Sequence, residues 1–420
     1  MCWSKLTMAS CFAATLAFSL LIPHPNHARR QLVRERQALA LLSFASVIFR
    51  AELALLLGAV GLHIYMTSQV SVFQLAVPVV AASTVALLVS LPIDSYFWLR
   101  PVWPELWAFY YNAVLGNASS WGTEPWHYYF LSAIPRLLLN PVAWAGMIPL
   151  AAILPATKQA ARSFLAPCLL FVTVYSLQPH KETRFILYIV PPLTAAAALG
   201  ANYVFSRRTK SALYAAASLA LILSTLASAA AGLGMALLSS LNYPGGDALT
   251  QLFIIIARAS NGHAAPAELL VHTDVLSCMT GVTLFGQNPS GLPLALLPPS
   301  QPHTSVGADR QLILFDKTED KTVLVDPAFW DRFDYVLAED PSLVLGEWDI
   351  VGVVYGYAGV ELVLPGYDDM TAADEKLIIL GKGAVVSRIK SKLQSLTGGW
   401  WIGPRMAPRI RILRRSAEQS

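Results

Sequence analysis

Residues 178–185 read QPHKETRF, and four ionisable side chains, His180, Lys181, Glu182 and Arg184, crowd into them. The run SFLAPCLLFVTVYSL (163–177) precedes this knot and ILYIVPPLTAAAALGANYVF (186–205) follows it. Both flanks are apolar enough for a bilayer, so the knot is expected at the end of a membrane span, where intramembrane or juxtamembrane charge marks function. Composition agrees. The 420 residues are 55% hydrophobic and 13% charged, with a mean hydropathy of +0.51. Soluble domains carry about 25% charged residues.

The charge is unevenly distributed. Residues 1–240 hold 15 Lys/Arg against 6 Asp/Glu, and residues 241–420 hold 15 against 20. The expectation is a polytopic α-helical membrane domain over 1–239, of about eight segments, followed by a luminal mixed α/β domain over 240–420. The apolar segments fall near 7–22, 37–49, 51–66, 70–92, 127–154, 164–178, 185–205 and 211–238. A span needs roughly 20 residues, and the pair 37–49 and 51–66 is short and split by FRAEL, with Arg50 and Glu52. The positive-inside rule puts the loops HARRQLVRER, TKQAAR and SRRTK on one, cytoplasmic side. Parity between them requires two short helices meeting at a polar turn rather than one long helix. Arg50, Glu52, the aromatic stretch 94–127, the knot and everything after about 239 then face the lumen.

In the second half, ELLVHTD, QLILF, TVLVD, YVLAE, IVGVVYG, VELVLPG and KLIIL read as short strands. The four cysteines, Cys2, Cys11, Cys168 and Cys278, have no metal-ligand spacing, so neither a zinc site nor a disulfide framework is expected. The basic excess serves orientation, and no nucleic-acid partner is implied.

Read as a helix, the knot would place Lys181 and Arg184 on one face and His180 four residues from Arg184. Such a patch suits a phosphate: arginine supplies a planar fork, lysine a point charge and histidine a donor. Glu182 would orient them. Snorkelling at a helix end is the structural alternative. Arg50 and Glu52 are either a second wall of the same pocket or an ion pair holding two helices together. Asp94, Glu105, Glu124 and His127 are candidates for proton transfer. Asn117-Ala118-Ser119 is a glycosylation acceptor pattern.

QPHKETRF resembles the HKE-x-RF signature of the dolichyl-phosphate-mannose-dependent mannosyltransferases of glycosyltransferase family 22. IFRAELALLLG (48–58), IDSYFW (93–98), WPE (103–105), SSWGTEPWHYYFLSAIPRLLL (119–139), LNYPGGDAL (241–249) and VHTDVLSCMTGVTLF (271–285) resemble the branch that forms an α-1,6 linkage on the lipid-linked N-glycan precursor. The resemblance covers about 35–290. It implies a GT-C-like transmembrane fold in the endoplasmic reticulum membrane, with its active face luminal. It also implies inverting transfer of mannose from dolichyl phosphate mannose to a dolichol-linked oligosaccharide, without metal or cofactor. His180, Lys181 and Arg184 would hold the donor phosphate, supported by Glu182, Arg50 and Glu52. Trp121, Trp126 and His127 would line the substrate. The acidic base belongs to a first luminal loop, expected upstream of this chain, which leaves Asp94 and Glu52 as substitutes. A non-catalytic or truncated binding protein and a transporter of an anionic lipid headgroup are the other readings.

Overall fold

The computed structural model describes residues 2–23, 28–68, 70–260, 268–283, 286, 312–366 and 378–416. The chain divides into two compact units, Met1–Gly232 and Leu233–Ser420.

The first unit is helical. In chain order it contains α1 (Cys2–Leu20), α2 (Ala28–Ile48), α3 (Leu53–Thr67), α4 (Val72–Trp98) and the short α5 (Pro104–Phe109). Then come α6 (Tyr129–Leu138), α7 (Val142–Ile153), α8 (Lys158–Tyr175) and α9 (Val190–Phe205), the last entered through a 3₁₀ turn at Thr183–Ile189. α10 (Ala212–Ser240) leads out of the unit. Small residues let the helices approach closely. Ala13, Ala14 and Ala17 of α1 and Ala38 and Ala45 of α2 are all buried in one core, the packing by which helices associate without a hydrophobic gradient. Met8 and Phe12 of α1 are exposed, as are Phe73, Val80 and Leu88 of α4. None of the most apolar window of α10 is buried. Helices apolar all round and unburied need lipid around them.

Several expectations change here. The stretch RRQLVRER, expected as a loop, forms the first turns of α2, because every residue in it except Val33 is a strong helix former. Arg34 then donates to the carbonyls of Ser19 (2.6 Å) and Leu20 (3.2 Å), so it caps the end of α1. The segment 127–154, expected as one span, is two helices bent by 117°. Leu139 adopts a left-handed conformation (φ 51°), and the Asn140 side chain caps α7 by accepting from Ala143 N (3.0 Å). Among the described residues, three helices are long and apolar enough to cross a membrane, or four with the bent pair counted as one. This is fewer than the eight apolar segments counted from sequence. The break between α2 and α3 falls at Arg50–Glu52, so the two-helix alternative is the one observed.

The second unit carries a six-stranded sheet of order β2-β1-β3-β6-β4-β5. Its strands are β1 (Glu268–Thr273), β2 (Leu312–Asp316), β3 (Tyr335–Ala338), β4 (Trp348–Val363), β5 (Ile379–Leu380) and β6 (Trp401–Arg415). β1 pairs in parallel with β2 and β3, and β6 runs antiparallel between β3 and β4. Around it lie α11 (Pro244–Ser260), α12 (Val275–Met279), α13 (Lys321–Leu324), α14 (Pro327–Trp330) and α15 (Gly381–Thr397). TVLVD, expected as a strand, is mostly α13, because the Asp320 carboxylate caps Thr322 N (2.9 Å) and starts a helical turn. IVGVVYG and VELVLPG are one continuous strand, β4. β6 escaped sequence reading because two prolines and five arginines interrupt its apolar pattern.

The stretches LNYPGG and SCMTG meet in this unit. Gly245 N donates to Thr280 Oγ1 (2.8 Å) and Gly246 N to Thr280 O (3.0 Å). A Cβ on Gly245 would stand 2.2 Å from Ser277 O. Gly245→Ala is therefore expected to cost about 2 kcal/mol or more through overpacking, read as a lower denaturant midpoint for the second unit.

Candidate active site

The charged knot is not one helix. Residues 176–180 form turns and bends, Lys181 and Glu182 are irregular, and Arg184 lies in the 3₁₀ turn that follows, so the shared α-helix face expected for Lys181 and Arg184 does not exist. The knot is instead zipped to the loop at 122–125. Glu124 N donates to Pro179 O (3.0 Å), and His180 Nδ1 contacts Gly122 O (3.0 Å). Lys181 Nζ donates to Glu124 O (2.8 Å) and Gln178 O (2.6 Å). Lys181 is buried, at 6% exposure, and burial pushes its ammonium pKa below the usual lysine value, opposed by Glu124. Its first role is that of a strut between two loops. A lysine has three N–H donors, so two carbonyls do not exhaust it.

Glu182 is the hub of the remaining charges. Its carboxylate meets His180 Nε2 (3.0 Å) and Arg184 Nη2 (2.7 Å), with a further contact to Arg184 Nε. Both partners of the His180 ring, Gly122 O and the Glu182 carboxylate, are acceptors, so the ring is held between the 122–125 loop and the hub. Arg184 is 47% exposed, the most open of the three cations.

Phe185 supplies what the residue-type argument missed. The Arg184 guanidinium lies 5.5 Å from its ring centre and that of Arg50 5.9 Å. His180 and Tyr175 meet the same ring edge-on, at 5.8 Å each. Tyr175 stacks in turn on Tyr129 and Phe171. The aromatic column fixes the cationic cap above it, and its sequence signal was the apolar residue directly following Arg184.

Arg50 and Glu52 come to this same place. Arg50 Nη2 donates to Glu52 Oε1 (2.7 Å), both side chains being largely buried, and the Tyr188 hydroxyl faces the guanidinium. The pair ties α2 to α3 and stands beside Phe185. The loop after α4 is pinned to the same turn. Trp103 Nε1 donates to Val47 O (3.0 Å), and Ala51 N donates to Glu105 Oε2 (2.9 Å). Asp94 accepts from Ser90 and lies within electrostatic reach of Glu105, as do Arg50 and Glu52.

Burial raises the Glu105 pKa from 4.5 to about 7, with Glu52 and Asp94 adding to the rise and the Ala51 N–H and Arg50 opposing it. A folded pKa above the unfolded one means that the folded state binds the extra proton. Stability is then full below pH 4.5 and falls as pH rises to about 7. The fall is about 3 kcal/mol at most. Glu105→Gln, which keeps an acceptor for Ala51 N, should flatten thermal stability across that window.

Trp121 and Trp126 are 67% and 70% exposed, and the Trp126 ring meets His127 edge-on at 5.7 Å. They flank the zipped loop without being tied into it. The Asn117 side chain donates to Tyr111 O (3.2 Å) at the start of a 3₁₀ turn.

Residues 1–246 match the model of the Alg9-like mannosyltransferase family. This is more than half of the chain. The chain belongs to the Alg9-like mannosyltransferase family. It is a glycosyltransferase family 22 membrane protein with several apolar helices and a mixed sheet unit. Among its curated relatives is a Schizosaccharomyces pombe protein named probable Dol-P-Man:Man(7)GlcNAc(2)-PP-Dol alpha-1,6-mannosyltransferase. That protein is 33% identical over 329 residues, which is 78% of this chain and 54% of the relative. The Arabidopsis thaliana protein named for the same activity is 35% identical over 59% of this chain and 48% of its own length. A GPI mannosyltransferase 3 of Yarrowia lipolytica is 33% identical over 36% of this chain and 28% of its own. The chain thus spans about half the length of the first two. An alignment of 329 residues cannot fit inside 1–246, so the likeness to an Alg9-like mannosyltransferase extends into the sheet unit. No solved structure matches the chain.

Proposed function

We propose that the chain acts as an α-1,6-mannosyltransferase on the dolichol-linked precursor of N-glycans. Mannose would pass from dolichyl phosphate mannose in the lumen of the endoplasmic reticulum. The observation that carries the choice of linkage is coverage. Relatives named for the α-1,6 reaction on Man(7)GlcNAc(2)-PP-Dol match 57–79% of this chain, whereas GPI mannosyltransferases match 39% or less.

The chemistry follows from the knot. Direct displacement at the anomeric carbon expels a polyprenyl phosphate, and negative charge grows on that phosphate in the transition state. Preorganised donors aimed at developing charge are the usual largest contribution to such a step. Arg184 and His180, held by Glu182 and by the Phe185 ring, would receive the phosphate. Lys181 would act mainly by fixing the 122–125 loop, with its remaining donor and its charge turned to the same ligand. Exposed Trp121 and Trp126, with His127 beside them, would supply apolar and aromatic surface for the sugar or lipid head. Deprotonation of the acceptor hydroxyl calls for a carboxylate, and Glu52, Asp94 and Glu105 form the acidic group beside Arg50. Side chains alone neutralise the phosphate in this scheme, and no metal takes part.

The test is expression of this chain in cells lacking their own eighth-mannose transferase, with profiling of lipid-linked oligosaccharides. Conversion of the seven-mannose intermediate is expected. Donor binding without conversion would instead favour a binding protein.

A further inference from the structure

α15 is inverted. Its sequence, GKGAVVSRIKSKLQSLT, places Val385, Ile389, Leu393 and Leu396 within about 80° of one another on the helical wheel. A helix packed on a sheet ordinarily turns such a stripe inward. Here the four are 46%, 48%, 42% and 74% exposed. The face against the sheet includes a glycine and a charge. A Cβ on Gly383 would stand 2.7 Å from Tyr355 Cβ, and Lys390 Nζ is bonded to Glu361 of β4 (2.8 Å). Beyond the helix C-terminus Trp400 is half exposed.

Charge and position say what covers the stripe. α15 has four basic residues and no acidic one, within a half-chain of 15 Lys/Arg against 20 Asp/Glu. Lys382, Arg388 and Lys392 are exposed alongside the stripe. The start of α15 is also tied to the end of the long apolar helix: Lys382 Nζ donates to the carbonyl of Ser240, the last residue of α10 (2.7 Å). Asp247, just downstream, accepts from Lys382 N (2.7 Å). A 29-residue apolar helix with an unburied window ends at a bilayer surface if it crosses one, and α15 begins there.

We propose that α15 is a membrane-surface helix, its apolar stripe and Trp400 seated at the headgroup–acyl boundary and Arg388 and Lys392 on anionic headgroups. An apolar face rimmed by Lys/Arg with an aromatic at its end is the pattern of interfacial helices. The helix thereby holds the sheet unit against the lipid surface.

The test uses the full chain reconstituted in phosphatidylcholine vesicles with and without phosphatidylinositol. An environment-sensitive fluorescent amino acid is placed at Ile389, Leu393 or, on the same helix outside the stripe, Ser391. Emission at 389 and 393 should shift to the blue and be quenched by lipid brominated near the headgroup, by about twofold or more over position 391. Phosphatidylinositol should increase the quenching, and Arg388→Glu with Lys392→Glu should abolish that increase. Water-like emission at all three positions would overturn the proposal. So would a blue shift at 389 that brominated lipid does not quench, since the stripe would then be covered by protein, such as a second copy.

Discussion

Arg184→Ala should reduce mannose transfer by about 100-fold while leaving the protein folded. It is the most open cation of the knot, at 47% exposure, so on the proposed mechanism its removal would strip charge from the leaving phosphate without opening a buried cavity. A loss of that size is about 2.7 kcal/mol of barrier, within the range for deleting one transition-state donor. Arg184→Lys should recover only part of it, because lysine cannot reproduce the two contacts to Glu182 or the planar approach to Phe185. The check is the rate of conversion of the seven-mannose intermediate, with thermal unfolding run in parallel. Full activity in Arg184→Ala would remove the phosphate assignment.

Lys181→Met should behave differently. The methionine keeps the apolar stem but leaves the carbonyls of Gln178 and Glu124 without their donor, and stranded buried acceptors cost about 1–3 kcal/mol each. The 122–125 loop would then be held to the knot only through Glu124 N and the His180 ring, and should loosen. Stability and activity should fall together, and limited proteolysis should open near Gly122–His127. A lysine acting only on the phosphate would lose activity with the loop still protected. The pair of variants therefore separates the strut from the ligand within five residues of sequence.

That separation shows what sequence could and could not convey. The density of charge at QPHKETRF, the polar break at Arg50–Glu52 and the strands ELLVHTD and YVLAE were legible, since each rests on local composition or alternation; of KLIIL, Ile379–Leu380 is a strand and Lys376 and Leu377 lie outside the described residues. Periodicity, however, misplaced the knot. The i, i+3 relation of Lys181 and Arg184 presumes a helix, and Pro179 with the carbonyl partners of Lys181 leaves none. Whether a charge points at a ligand or at a neighbouring loop is a long-range property: Lys181 finds Glu124 57 residues away. Glu105 was one acidic loop residue among several until Ala51 N and the surrounding carboxylates set it apart. The bend in 127–154 did have a signal, Leu139-Asn140-Pro141, but hydropathy averaged over it.

On the proposed mechanism, this chain binds the phosphate of a polyprenyl-phosphate sugar at the knot. The most direct measurement is a titration of the purified, lipid-reconstituted chain with a short-chain polyprenyl phosphate mannose and with the matching polyprenyl mannoside lacking the phosphate. Saturable binding of the first is expected, weakened about tenfold or more by Arg184→Ala, with little binding of the second. Equal affinity for both compounds, unchanged in Arg184→Ala, would contradict it.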